Sequence, residues 1–208
     1  MPTFVHRPTG KRFLFIHIPR TAGRFIGANL LKNNCESEQG EGDNLWIKKN
    51  GVELTHYHRE YYEKYLDIKD IPHFAVVRNP FDRFISSTIS VVQDHGKDID
   101  VDEKFLSYLI NGYGSTVYSY IFRPQVEFIS DKTHVWKYEN GMGKEFVNWL
   151  SGILDIDFSF SQDVEYLQDS NSGKLRKTPK LIDNLRQFYR KDIEQFYPEL
   201  ATPFEEGT

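Results

Sequence analysis

Sulfur is scarce in this chain: one cysteine and two methionines in 208 residues. A single cysteine, Cys35, excludes an intramolecular disulfide framework and a Cys-rich zinc site, and read by itself it is a bystander. Long apolar runs are missing too. None approaches the about 18 residues of a membrane span, and the opening MPTFVHRPTGKR lacks the apolar stretch of a signal peptide. A soluble, intracellular chain is expected, with the cytoplasm as its compartment. Charge of one sign is not in excess either. The formal net charge of -4 argues against a general polyanion binder, so no nucleic-acid partner is expected, although a local basic cleft stays compatible with it. The phosphate-loop pattern G-x-x-x-x-G-K-[ST] is absent from both turns discussed below, which disfavours an ordinary P-loop ATPase.

What is present suits a packed domain. With 39% hydrophobic and 27% charged residues, global disorder is not the expectation. No repeat or linker divides the chain, so residues 1–208 read as one domain. Apolar runs predict strands at about 12–18, 73–77 and 134–138. Helical spacing predicts helices over 23–33, 57–65, from Pro80 onward, 105–110, 124–129, 146–154 and 179–196. Residues 34–44 and 94–103 read as acidic loops, and 169–178 as a polar, basic one. Residues 45–56 read as an extended region turning at Asn50-Gly51. Strands alternating with helices indicate an α/β fold with a mainly parallel central sheet flanked by helices.

The two best strands end alike: an apolar run, then arginine and proline, then a helix. In the first, FIHIPRTAGRF, Arg20 and Arg24 bracket Gly23. In the second, Arg78 is followed eight positions later by Ser86, about two helical turns on. In an open parallel sheet that edge is where ligands bind. A helix N-terminus there offers N–H groups and partial positive charge to a phosphate or sulfate. Arginine adds permanently charged donors, and glycine lets backbone approach the ligand. The pattern therefore predicts an anion site, without naming the anion.

The residues that name it carry a family resemblance. HIPRTAGRFI (17–26) resembles the 5′-phosphosulfate loop of sulfotransferases that use 3′-phosphoadenosine 5′-phosphosulfate (PAPS). VVRNPFDRFISS (76–87) resembles their 3′-phosphate segment. LTHYH, PQVEFI, VWKYEN and YRKDIEQFYPE follow in family order, and the branch most suggested is the carbohydrate, heparan sulfate 2-O-sulfotransferase-like one with its bacterial and viral homologues. The resemblance implies a P-loop-like sulfotransferase fold. It implies PAPS as co-substrate and PAP, the desulfonated nucleotide, as product. Thr21, Ala22, Gly23, Arg24 and Phe25 would meet the 5′-phosphosulfate through amides or side chains. Arg78 and Ser86 would hold the 3′-phosphate, with Lys174, Arg176 or Lys177 of the late basic loop as further contacts. Arg20 stands where the family has a lysine that neutralises the leaving group, and Arg24 where threonine or serine is usual. Arginine keeps the charge but has a wider fork and cannot lose its proton.

Sulfuryl transfer to a hydroxyl also needs a proton acceptor. His56 and His58, at i and i+2, would face one side of a strand. The 2-O-sulfotransferase branch carries a histidine pair at this place, which makes His56 the first candidate base and His58 the second. Glu53, Glu60 and Glu63 could replace or orient the histidine. Nothing nearby completes a zinc set, so no metal is expected. The expected function is sulfuryl transfer from PAPS to a hydroxyl acceptor, a sugar or glycan. A catalytically impaired PAPS/PAP-binding protein of the same fold and, less favoured, a small-molecule kinase are the alternatives. Acceptor identity and oligomeric state stay open.

Overall fold

The computed structural model describes residues 3–38, 48–49, 52–53, 56–94, 119–161 and 179–201. Its strands are β1 (Thr3–His6), β2 (Lys11–Ile16), β3 (Cys35–Ser37), β4 (Lys48–Lys49), β5 (Val52–Glu53), β6 (His73–Val77) and β7 (Thr133–Lys137). Its helices are α1 (Gly23–Lys32), α2 (Arg59–Tyr65), α3 (Pro80–Asp94), α4 (Ser119–Phe122), α5 (Lys144–Leu154), α6 (Pro179–Phe188) and α7 (Arg190–Phe196). The chain divides into two compact units, Met1–Arg78 with Glu127–Gln168, and Asn79–Val126 with Asp169–Thr208.

The first unit is built on a five-stranded sheet in the order β3-β1-β2-β6-β7. Its heart is parallel, with Ile16 beside Ala75 and Val77 beside Lys137. Antiparallel β1 and β3 extend it on the β2 side. The fold class is therefore α/β, with a parallel core in a mixed sheet. Alternation along the strands sends Phe13, Phe15, Phe74 and Val76 to one face, where Phe25, Ile26 and Leu30 of α1 and Phe146, Leu150 and Leu154 of α5 join them in one buried core. Phe15 and Phe74 stack at 4.9 Å and 15°. Leu14, Ile16, Ala75 and Val77 on the other face are fully buried as well. A strand buried on both faces reads as a continuous apolar run, which is why β2 and β6 were visible in the sequence.

The second unit centres on Phe84 and Ile85 of α3, Ile121 and Phe122 of α4, and Leu181, Leu185 and Tyr189 at the α6–α7 junction. Among the described residues no helix is long and apolar enough to cross a membrane.

Several expectations are corrected. Residues 35–37 are not loop but the edge strand β3, with Cys35 buried. The predicted helix 124–129 is only a 3-10 turn at Gln125–Glu127, and the α-helical residues lie before it, in α4 at Ser119–Phe122. The predicted helix 179–196 breaks at Tyr189, whose ring is buried and whose Oη donates to the Phe122 carbonyl at 2.7 Å. The extended segment does not reach His56: β4 and β5 pair as Lys48–Glu53 and Lys49–Val52, and β5 ends at Glu53. Asn50-Gly51, the loop 95–103, the helix 105–110 and the basic loop 169–178 lie outside the described residues.

Candidate functional site

The parallel strands β2, β6 and β7 deliver their C-terminal ends to one edge, and the anion-turn residues of the first unit collect there. After β2 the ladder stops: the Ile18 amide turns back to the Ile16 carbonyl at 3.1 Å, and Pro19 has no donor. Arg20 and Ala22, on either side of Thr21, both take left-handed backbone, φ 67° and 66°. Neither is glycine, so each conformation costs about 1–2 kcal/mol. Left-handed residues in alternation are the backbone pattern of nests, in which successive amides turn toward a common side and suit an anion. The Thr21 hydroxyl is buried and donates to the Ile18 carbonyl at 2.8 Å, which pins the turn. Ala22 is the N-cap of α1 and makes no side-chain cap. The first turn of α1 holds Arg24 and no acidic residue, a charge order that the helix dipole disfavours without an anion beside it.

A side chain at Gly23 is impossible here. A Cβ would lie 1.7 Å from His17 Nε2, because the imidazole rests against the glycine. The His17 ring also stacks on Phe15, centroids 5.5 Å apart at 11°, and lies 4.6 Å from the His56 ring. His56 Nδ1 sits 3.1 Å from the His17 carbonyl. A carbonyl only accepts, so Nδ1 donates, and neutral His56 therefore carries its lone pair on Nε2. Burial pushes His56 down to about 4, against the raising effect of that hydrogen bond, and Arg24 also pushes it down. His17 lies well below the ordinary range, first through burial, then through His56 and Arg24. Both imidazoles are thus neutral at neutral pH.

Arg78, half-buried at the end of β6, donates through Nη1 to the Arg20 carbonyl at 3.3 Å. Its guanidinium lies 4.5 Å from the centre of the Tyr138 ring, in the turn that follows β7. Arginine and loop are therefore in direct contact. His56 joins them through His17, not from a strand. The i, i+2 argument for His56 and His58 fails with the strand: His58 is the N-cap of α2, edge-on to Tyr61 at 4.6 Å and 3.6 Å from the Glu60 carboxylate. Phe25 is a core side chain, edge-on to Phe160, so its ring is turned into the core. Ser86 is buried on α3 in the second unit, and Lys174 lies outside the described residues. Sequence reasoning missed His17, which reads as one more position of a strand. The signal lay in its spacing from Gly23, six positions on, across a turn.

Residues 3–198 match the sulfotransferase family. The chain belongs to that family. Its members generally draw the sulfuryl group from PAPS. Among solved structures, a sulfotransferase from Alicyclobacillus acidocaldarius is similar at 16% identity over 69% of this chain and 58% of that one, with a TM-score of 0.40. The chain thus spans little more than half that protein's length. Comparison with curated proteins gives no match.

Proposed function

We propose that this chain transfers a sulfuryl group from PAPS to a hydroxyl acceptor of the carbohydrate class. The observation that carries the reading is the turn at residues 17–25. Two non-glycine residues hold left-handed backbone there, directly ahead of a helix whose first turn is basic. Strain of this kind persists where the surroundings over-determine it, and an anion is the occupant that rewards it. The amides from Thr21 to Phe25 take the 5′-phosphosulfate end. The resemblance of residues 76–87 assigns the 3′-phosphate to Arg78 and Ser86, and that of the late loop adds Lys174. His56 Nε2 accepts the proton of the attacking hydroxyl while that oxygen bonds to sulfur and the bond from sulfur to the bridging oxygen breaks. Arg20 offsets the charge that gathers on the departing nucleotide. His58, held at the α2 cap, serves as second candidate for the base.

The test is incubation with labelled PAPS and a panel of glycans and small alcohols, beside thermal-shift titrations with PAP and ATP. Label transfer to a sugar hydroxyl and stabilisation by PAP but not ATP are expected, with both lost in Gly23→Ala. Stabilisation by ATP alone overturns the reading in favour of a kinase. A second reading has its own support: Arg20 stands in the lysine position with its backbone in the left-handed region. It predicts PAP binding with no transfer to any acceptor.

A further inference from the structure

Five positions beyond Arg78, the chain encloses a second arginine completely. Arg83 on α3 is 0% exposed. Its Nη1 donates to the Ile121 carbonyl at 2.9 Å and its Nη2 to the Arg123 carbonyl at 2.6 Å. Its guanidinium lies 5.5 Å from the centre of the Tyr189 ring. Ser87, one turn along α3, donates to the same Ile121 carbonyl at 3.3 Å, and Tyr189 Oη takes the Phe122 carbonyl between them. These three consecutive carbonyls lie at the end of the short helix α4 and on the residue after it, where helical backbone bonds run out. Arg83, Ser87 and Tyr189 supply them. Beside this cluster the Asp192 carboxylate accepts from the amides of Gln125 and Val126 at 2.9 and 3.0 Å and from Gln125 Nε2 at 3.3 Å.

A buried charge contributes little that an apolar side chain of equal volume would not, so its presence calls for a reason other than stability. Direction is that reason. Two side chains one turn apart, Arg83 and Ser87, grip one carbonyl and fix both the height and the rotation of α3. Ser86 precedes Ser87 and is offset from it by about 100° around the axis, so its hydroxyl moves with any rotation of the helix.

We propose that Arg83 is a positioning residue that fixes α3 so that Ser86 presents its hydroxyl to the 3′-phosphate, which makes Arg83 a determinant of selectivity between nucleotides with and without that group. The inference rests on the assignment of Ser86 given under the proposed function. Arg83 itself does not touch the nucleotide, since its Nη donors are turned onto α4.

The test compares PAP with adenosine 5′-phosphate by calorimetry on the full chain. The unaltered protein is expected to prefer PAP. In Arg83→Lys the preference should fall about tenfold while affinity for adenosine 5′-phosphate stays within about twofold, the size of effect expected from one charge-assisted hydrogen bond. Ser87→Ala removes the other grip on Ile121 without disturbing a buried charge. It should lower the preference in the same direction, by about threefold, and it replaces the lysine variant if that protein does not fold. An unchanged preference in the variants, or equal losses for both nucleotides, overturns the positioning role alone. No preference for PAP in the unaltered protein overturns the assignment of Ser86 and this inference with it.

Discussion

Arg78 and Arg83 are five positions apart in the sequence and have opposite surroundings. Arg78, in the first unit, is half-buried, reaches one loop carbonyl at 3.3 Å and has its guanidinium 4.5 Å from the centre of the Tyr138 ring. Arg83, in the second, is sealed from solvent and holds two carbonyls at 2.9 and 2.6 Å. The backbone around them differs in the same sense. The first turn keeps Arg20 and Ala22 in left-handed conformations, whereas α3 runs as a regular helix through Arg83. On the proposed reading, strain and longer contacts mark the place where a ligand completes the structure. Short contacts to the carbonyls at the end of a short helix mark the place where the fold completes itself.

The sharpest way to break this contrast is to truncate each arginine. Arg83→Ala removes two hydrogen bonds to buried carbonyls and leaves a void, so denaturant unfolding should show a loss of about 3–5 kcal/mol. Arg78→Ala should change stability by less than about 1 kcal/mol and instead weaken PAP binding about tenfold or more. Equal stability losses would erase the distinction.

A second experiment concerns acid. His56 is lowered from 6.5 to about 4 in the fold, so between those values the unfolded chain binds more protons than the folded one. Stability therefore falls as pH drops through 6.5 toward 4, by about 3 kcal/mol from His56 alone, with His17 adding in the same direction. PAP, an anion, should raise both imidazoles and flatten that slope; denaturant curves from pH 7 to 4 with and without PAP measure it. A slope unaffected by PAP would separate the histidines from the anion turn. The smallest effect is expected from Ala22→Gly, which relieves left-handed strain at one residue. It should raise the midpoint of unfolding by no more than about 1 kcal/mol in equivalent stability, while adding backbone freedom that lowers PAP affinity.

Much of the first unit was legible in its sequence, because its central strands are buried on both faces and its turns carry proline, arginine and glycine in order. Strand β6 and the start of α1 match the expected residues. What escaped is held by pairing or packing instead of pattern. β1 and β3 are four and three residues long and take their register from β2 and from each other. The break falls at Tyr189, whose hydroxyl reaches Phe122, a residue distant in the chain. The placing of the two turns along one edge was expected from parallel strands, and β2, β6 and β7 are parallel. The link from His56 to the loop was invisible, since it runs through the main-chain carbonyl of His17, and every residue carries a carbonyl.

The contact between His17 and Gly23 makes two positions behave as one inherited unit. An alanine at 23 collides with the ring at 17, and its fate is decided by a residue six positions earlier. Exchanging this turn for that of another protein, to change the donor nucleotide, must therefore carry both residues or neither. A smaller side chain at position 17 opens the space that a methyl group at 23 needs. Libraries that vary the turn one position at a time would record Gly23 as immutable and miss that its freedom is granted elsewhere.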